Sequence, residues 1–575
     1  MVRGLSAARI VRVNGPLLEV EGLAALAMAD LVALGDAGLP GEVVAISDGT
    51  ATVQAYEYTG GLRAGDPVSA LGRALSVRLG PDLLGGVYDG LLRPLADAPP
   101  WLPPGSAREV PGGTWDWRPR VREGDLVEAG TVLGTVPTPA ALEFRVLVPP
   151  GVRGTVTRLA PPGARASTEP VATVGEVAVA MATDWPVRRA RPTAARLASG
   201  EPLLTGQRVL DAVFPVARGS TAAVPGGFGT GKTLLLQQVA KWCAADVIVY
   251  VGCGERGNEM ADVLADFGEL VDPRTGRRLV ERTVIIANTS NMPMMAREAS
   301  IYTGVTVAEY FRDMGHHAVV IADSTSRWAE AMREWASRSG ALPAEEGYPA
   351  SLPSALAAFY ERAGSFATLG GGAGSVTIIG AVSPPGGDTT EPVTTHTERF
   401  VRAVWDLDRD LAYARHYPAV AWSGSFSLDA DAVARWYAAQ GDPGWAARRA
   451  QVTAVLAEAD RLADLAALVG RSSLPSRERV VLWGGRLLRE GFLQQSALST
   501  NDAYCSSEKT RALLEAILRV VEACHTAVQR GVTASEIEEL DYSALLRAGD
   551  DLAPDDVAGV AVRRDHVLAG LEGLR

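Results

Sequence analysis

The chain has 575 residues, room for about three to five domains, so a single small module is excluded. Its 67 acidic residues outnumber 55 basic ones, and the formal net charge of −12 argues against nucleic-acid recognition driven by bulk charge, which needs a basic face. With 47% hydrophobic and 21% charged residues, the composition is that of a folded chain rather than a disordered one.

In chain order, residues 1–75 read as short strands over Arg9–Val13, Leu17–Val20, Gly41–Ile46 and Ala51–Tyr56. Asp48-Gly49 between the last two favours the positive φ angles of a tight hairpin, so the segment predicts a small β-barrel. Arg3, Arg9 and Arg12 interrupt the start before any apolar core forms, which is not the profile of an export signal. Residues 76–109 read as a connecting segment. Residues 110–185 form a second strand-rich block, with Val121–Val136 and Arg145–Val156 broken by Gly124-Asp125, Gly130, Gly134 and Pro149-Pro150-Gly151. Its alternation resembles a lipoyl-type sandwich, yet it contains no lysine. A lipoyl or biotin attachment site is thereby excluded, and a structural or docking role is left.

Over residues 186–435, β-branched runs at Val247–Val251, Thr283–Ile286, Ala318–Ala322 and Val376–Ile379 alternate with helical patterns, predicting an α/β domain with a mostly parallel sheet. Residues 436–575 turn helical: Ala446–Leu468, Ser476–Gln495 and Ser507–Arg530 repeat apolar residues at helical spacing, predicting a bundle. The longest uncharged stretch, Ala363–Gly387, is broken by glycines and by Pro384 and Pro385, so it cannot span a membrane as a helix. Work at a membrane is expected only through partners. Four cysteines without a CxxC and six scattered histidines predict neither a disulfide framework nor a zinc site and fit a reducing, cytoplasmic compartment.

Only three of the 55 basic residues are lysines: Lys232, Lys241 and Lys509. One of them completes Gly226-Gly227-Phe228-Gly229-Thr230-Gly231-Lys232-Thr233, which satisfies G-x-x-x-x-G-K-[ST]. The glycines let consecutive N–H groups curl around phosphate, Lys232 reaches the β- and γ-phosphates, and the Thr233 hydroxyl can ligate Mg2+. A lysine kept where arginine is otherwise used fits a compact point charge in a tight loop. Ala318–Asp323 is an apolar strand ending in a carboxylate, which beside a phosphate loop can hold Mg2+ directly or through a water; alone, such a strand end also fits an ordinary turn. Between the two motifs, Val249–Val251 runs into Gly252-Cys253-Gly254-Glu255-Arg256-Gly257-Asn258-Glu259. Glu255 there is placed to orient and polarise an attacking water, although a solvated Glu–Arg turn fits the same residues.

Together with Ser383-Pro384-Pro385-Gly386-Gly387-Asp388, Glu345-Glu346-Gly347-Tyr348-Pro349 and Asp323-Ser324-Thr325-Ser326-Arg327-Trp328, these motifs closely resemble the catalytic A-type chain of V/A-type rotary ATPases and ATP synthases. The resemblance runs from Ile10-Val11-Arg12-Val13-Asn14-Gly15-Pro16 to Leu493-Gln494-Gln495. It implies a multidomain fold: an N-terminal β-barrel, an inserted β-rich bulge domain, a RecA-like α/β nucleotide domain and a C-terminal helical domain. It further implies ATP, ADP and phosphate as substrates and products with Mg2+ as cofactor, and coupling of ATP turnover to H+ or Na+ transport.

Carried over by motif, the loop Gly226–Thr233 binds phosphate, Lys232 and Thr233 serve phosphates and Mg2+, Glu255 activates water, Arg256 supports the γ-phosphate region, and Asp323 is the Mg2+ acid. Tyr417, in His416-Tyr417-Pro418-Ala419, matches the aromatic that packs on adenine. Leu498 stands where a second aromatic is usual, so one face of the base loses an aromatic wall. Pro353 and Ala355 replace an alanine and an arginine of the family pattern; the proline is expected to end or kink a helix, and the lost arginine to remove a charge contact at a subunit boundary. The implied partners are a homologous B-type subunit in an alternating A3B3 hexamer and the central and peripheral stalks, on the cytoplasmic side of the membrane, with membrane contact only through the ion-translocating sector and no nucleic acid. Two other readings stay open on the residues: a RecA-like ATPase of the secretion or nucleic-acid translocase type, against which the inserted block and acidic charge weigh, and a non-catalytic nucleotide-binding subunit, against which the presence of both Lys232 and Glu255 weighs.

Overall fold

In the computed structural model, which describes residues 8–22, 26–47, 49–96, 98–99, 102–105, 113–140, 142–272 and 275–574, the alternating apolar residues of the N-terminal segment form a six-stranded antiparallel sheet. Its order is Arg9–Asn14, Leu17–Glu21, Thr50–Ala55, Leu39–Ser47, Asp30–Leu34 and Val68–Ala74. Arg9 lies opposite Pro67, and the Val68 N–H donates to Ala8 O at 2.9 Å, so the last strand returns to the first and closes a barrel. Ile10, Leu18, Val20, Val32, Leu34, Val43 and Val53 fill it. Gly49 has φ +81 in the hairpin turn, while Asp48 lies outside the described residues. Two strands, Asp30–Leu34 and Val68–Ala74, were not anticipated. Leu31 and Val32 are both buried in succession, and Leu71 to Arg73 are all exposed, so neither strand shows the period-2 alternation that marks a half-buried strand.

The inserted block folds as two four-stranded sheets, one ordered Leu126–Val127, Gly154–Leu159, Pro170–Val174, Val177–Ala180 and the other Glu143–Leu147, Val132–Pro137, Thr114–Pro119, Gly163–Ala166. Fully buried Trp117, Leu133, Val136, Phe144 and Val171 make its core. A Cβ on Gly134 would come within 2.3 Å of the Trp117 ring, so the indole requires glycine on the neighbouring strand. Val121–Val136 is not one strand: Leu126–Val127 joins one sheet and Val132–Pro137 the other, with the chain turning at Gly130 (φ +86).

By internal contacts the chain divides into two units, Met1–Leu197 with Ala245–Val382 and Glu391–Phe400, and Ala198–Ala244 with Ser383–Thr390 and Val401–Arg575. The first holds the barrel, the inserted block and parallel strands in the order Ala373–Val382, His317–Asp323, Val247–Cys253, Thr283–Asn288, Val87–Tyr88. Val247–Cys253 and Thr283–Asn288 are buried at every position, as strands covered on both faces must be, which is why their sequences are unbroken apolar runs. Helix Leu352–Tyr360 corrects one expectation: Pro353 neither ends nor kinks it but stands in its first turn, where the missing N–H has no intrahelical partner to lose. In the second unit, Thr221–Pro225 pairs in parallel with Ala403–Val404, and helices Trp445–Val469, Ser476–Leu488, Ser507–Gln529 and Val557–Gly573 bury Val452, Leu456, Val480, Leu513, Ile517 and Leu571. The helix expected to run to Gln495 stops at Leu488 and continues as a single π-helical turn, Arg489–Leu493. No helix among the described residues is long and apolar enough to cross a membrane.

Charge inside the first unit is paired. The Glu309 carboxylate accepts from Arg362 Nε (2.9 Å) and Nη2 (2.6 Å) and from the Arg191 N–H (2.9 Å), and all three residues are at least nine-tenths buried. Removing one partner strands a buried guanidinium, at about 3–5 kcal/mol. Glu309→Ala is therefore expected to lower stability in denaturant titration by that order. Glu334→Ala, which breaks the exposed pair with Arg338 (2.8 Å), is expected to cost under about 1 kcal/mol.

Candidate functional site

The buried strand Thr221–Pro225 runs into the glycine loop, and helix Lys232–Trp242 follows it. Gly229 and Gly231 both take φ +83, a left-handed conformation that other L-residues rarely adopt and that lets the backbone turn within a few residues. Gly226 is required for a different reason: a Cβ there would lie 2.8 Å from Thr230 Oγ1 and 2.9 Å from Leu407 Cβ. Thr230, 1% exposed, donates to Gly227 O at 2.9 Å and braces the loop from beneath. Lys232 Nζ donates to Gly226 O at 2.9 Å, so its ammonium is folded back across the loop. No side chain caps the helix, whose first-turn N–H groups and positive dipole end sit at Lys232 and Thr233. Phe228 projects from the loop, 88% exposed.

Tyr417 lies against this loop. Its ring carbons come within 3.1 Å of where a Cβ on Gly231 would stand, so the glycine also makes room for the ring. The Tyr417 carbonyl accepts from the Gln495 N–H at 2.7 Å, which ties the tyrosine to the segment after the π-helical turn. Leu498 belongs to that same segment but is 93% exposed. Gln495 itself is buried and carried no signal in the sequence beyond its place in a matched motif, because an isolated glutamine is usually a surface residue.

The carboxylates form a second group. Gly252 lies opposite Asp323 in the parallel pair Val247–Cys253 and His317–Asp323, so both strands end at the same level. Asp323 is 1% exposed and accepts from Tyr250 Oη at 3.3 Å. Past the strand end the chain turns at Gly254 (φ +75), where a Cβ would meet Arg327 Cβ at 2.8 Å; the Gly254 N–H donates to Asn288 O at 2.7 Å. The turn delivers Glu255 toward Asp323 and Glu259. Burial, the Asp323 charge and Glu259 together push the Glu255 carboxyl up to about 8, against a lowering pull from Arg327. Arg327 is itself forked onto Glu330 at 3.0 and 2.9 Å. Arg256, at the start of helix Gly257–Glu269, is 67% exposed with Nη1 4.0 Å from Glu259. Tyr250, Glu259 and Arg327 were not singled out from the sequence. Arg327 and Glu259 stood within matched or adjacent motifs, whereas Tyr250 is one position in an apolar strand.

Comparison with known proteins matches the barrel, the inserted block, the nucleotide domain and much of the helical region in order. Family models match residues 10–72 (ATP synthase alpha/beta family, beta-barrel domain), 112–188 (ATP synthase alpha/beta barrel-sandwich domain), 206–427 (ATP synthase alpha/beta family, nucleotide-binding domain) and 434–538 (C-terminal domain of V and A type ATP synthase). The chain is 48% identical to the corresponding A-type ATP synthase chain of Methanopyrus kandleri, covering 92% of each. It is 49% identical to a V-type ATP synthase alpha chain of Anaeromyxobacter dehalogenans over 98% of this chain and 99% of the relative. The ATPase EscN of the enteropathogenic E. coli type III secretion system superposes with a TM-score of 0.66 at 22% identity, covering 89% of this chain and 100% of EscN, a likeness of fold.

The raised Glu255 value has a measurable consequence. The folded chain holds a proton that an unfolded chain releases near 4.5, so this group's contribution to stability is full below that pH and is lost as pH climbs through about 8. Glu255→Gln, neutral throughout, is expected to match the wild type in unfolding midpoint at about pH 4 and to exceed it above about pH 8. Parallel curves across that window would place the carboxylate in an ordinary, solvated environment.

Proposed function

Because the chain belongs to the ATP synthase alpha/beta family, and within it to the branch of the A-type and V-type alpha chains, we propose that it binds Mg-ATP through the phosphate loop, with Glu255, Arg256 and Asp323 in the roles that the family pattern assigns to them. The protein is a catalytic nucleotide-binding subunit of a V/A-type rotary ATPase or ATP synthase, which couples ATP turnover to ion transport as part of a rotary complex. The observation that supports this reading best is the phosphate loop itself: two left-handed glycines, an uncapped helix N-terminus and a lysine folded over the loop make a preformed cradle for phosphate.

Lys232 places its charge on the β- and γ-phosphates while the loop N–H groups hold their oxygens. Glu255 orients the attacking water and accepts its proton, the work of a carboxylate just past the end of strand Val247–Cys253. Arg256 reaches the γ-phosphate region, Tyr417 packs on the adenine, and Leu498 supplies the aliphatic second wall. The donor chemistry fits Mg2+: Asp323 offers a carboxylate that is 1% exposed at the end of its strand, and the Thr233 hydroxyl is the hard oxygen that the loop motif supplies. Among the described residues no three or more His, Cys, Asp or Glu are arranged as a metal cage, and a Mg2+ bound with phosphate needs only one or two carboxylates. When bound, the ion supplies charge neutralisation on the phosphate oxygens.

The partners in this reading are homologous B-type subunits, which alternate with this chain in an A3B3 hexamer, together with central and peripheral stalks on the cytoplasmic face of the membrane. Charge that develops on the γ-phosphoryl group in the transition state is met in this reading by an arginine supplied in trans, which the family resemblance assigns to the neighbouring B-type partner.

Three experiments check the reading. Lys232→Ala, and also Lys232→Arg with its broader fork, is expected to abolish Mg-ATP turnover; Glu255→Gln is expected to keep nucleotide affinity while hydrolysis falls by about two to four powers of ten. Wild-type turnover in a Lys232 variant, or equal loss of binding and rate in Glu255→Gln, would contradict the assigned roles. The isolated chain is expected to bind ATP but turn it over slowly, with a gain of about 10³–10⁵ on mixing with its B-type partner, lost when the partner's arginine is removed. Full activity from a monomeric preparation would refute a shared site.

A further inference from the structure

A buried polar network is tied to Tyr417 through Gln495, and the ion pair at its far end, Arg208 with Asp502, belongs to none of the motifs above. Arg208, on the short helix Arg208–Ala212, is 1% exposed and pairs with Asp502, which is 4% exposed. Its Nε donates to Phe492 O at 2.9 Å and its backbone N–H to Gln495 Oε1 at 2.8 Å. Gln495 Nε2 donates to Gly206 O and to Asp502 O, each at 2.8 Å, and Asp502 Oδ2 accepts from the Ser496 N–H at 2.7 Å. The next bond in the chain is Gln495 N–H to Tyr417 O at 2.7 Å, and the Tyr417 ring rests against Gly231 of the phosphate loop. An unbroken path of hydrogen bonds therefore leads from the ion pair to the tyrosine.

A buried ion pair is weak as a stabiliser, since desolvation offsets most of its attraction, and an apolar pair of similar volume often does as well. What a forked, bidentate guanidinium contributes is geometry: it fixes several acceptors at once in one plane. Here those acceptors are the carbonyl of Phe492, where the π-helical turn ends, and the Asp502 carboxylate, which in turn holds Ser496. Between these two anchors lies Gln495, whose N–H reaches Tyr417 O.

We propose that the Arg208–Asp502 pair is a positioning device for the base of the nucleotide: through Gln495 it sets where Tyr417 stands, and so governs affinity for the adenine without touching the phosphates. The inference rests on the nucleotide reading above and adds residues to it that contact neither ATP nor the loop.

The test compares two probes that share phosphate chemistry and differ in the base, Mg-ATP and Mg-tripolyphosphate, by calorimetric titration of the full-length chain. Asp502→Asn is expected to weaken Mg-ATP about tenfold, the order of one base–aromatic stack, and to leave tripolyphosphate within about twofold. Should that variant fail to fold, Arg208→Met with Asp502→Leu removes both charges and strands neither, and the same split is expected. In a Tyr417→Ala background Asp502→Asn should add nothing, because both changes act on one contact. Equal weakening of both probes, no weakening of either, or full additivity with Tyr417→Ala would overturn the inference. Lys232→Ala separates it from the reading beneath: that variant must lose both probes, and a wild-type chain that binds neither would overturn the nucleotide reading and this inference together.

Discussion

A strand buried on both faces cannot carry charge along its length, so in this protein polar chemistry begins only where such strands stop. Thr221–Pro225 is buried throughout and opens directly into the glycine loop. Val247–Cys253 is buried throughout and turns at once into Glu255. His317–Asp323 holds its single carboxylate at its last residue, 1% exposed. The cost of placing an unpaired charge among apolar side chains enforces this division, and within the first unit it brings the ends of the paired strands Val247–Cys253 and His317–Asp323, and with them Glu255 and Asp323, to one level.

The same cost shapes how arginine is used. Within the first unit Arg188 is forked onto Glu298 at 3.0 and 2.7 Å and Arg362 onto Glu309, while Arg191 donates through Nε to Asp313 at 2.6 Å; within the second Arg208 meets Asp502. A planar guanidinium that stays charged satisfies several acceptors at fixed angles, which suits pinning of loops and helix ends. The surviving lysines answer to different needs. Lys232 stands on the phosphate loop, whereas Lys509, fully buried, donates to Gly549 O at 2.9 Å and Leu552 O at 2.8 Å and ties down the C-terminal segment. Scarcity of lysine alone therefore singles out Lys241 and the structural Lys509 as much as Lys232, and nothing in composition separates the three.

Glycine shows a parallel division. Gly229 and Gly231 are needed for their φ angles, Gly226 for close approach by Thr230 and Leu407, and Gly134 for the ring of Trp117. Only the first kind belongs to a recognisable spacing, because a turn is a property of consecutive residues. The second kind depends on what another part of the chain brings near.

The sequence by itself determined the family, through motifs spread over most of the chain, and with it the order of barrel, sandwich, nucleotide domain and helical region. Strands such as Val247–Cys253 were legible because an apolar β-branched run has few other uses, and the phosphate loop because its glycines and lysine lie within eight consecutive residues. Tertiary structure alone decided that Pro353 opens a helix, that Val121–Val136 divides between two sheets, that Asp30–Leu34 and Val68–Ala74 complete the barrel, and that helix Ser476–Leu488 gives way to a π-helical turn. It also decided that Arg208 meets Asp502 across 294 positions of sequence and that Glu255 is buried beside Asp323 and Glu259, which together raise its pKa. The physical reason is the range of the interactions. Backbone preference and hydrophobic period act within a few residues and leave their mark in a window of sequence, whereas desolvation, ion pairing and the reach of one side chain to another depend on which distant segments close together, and no local window contains that.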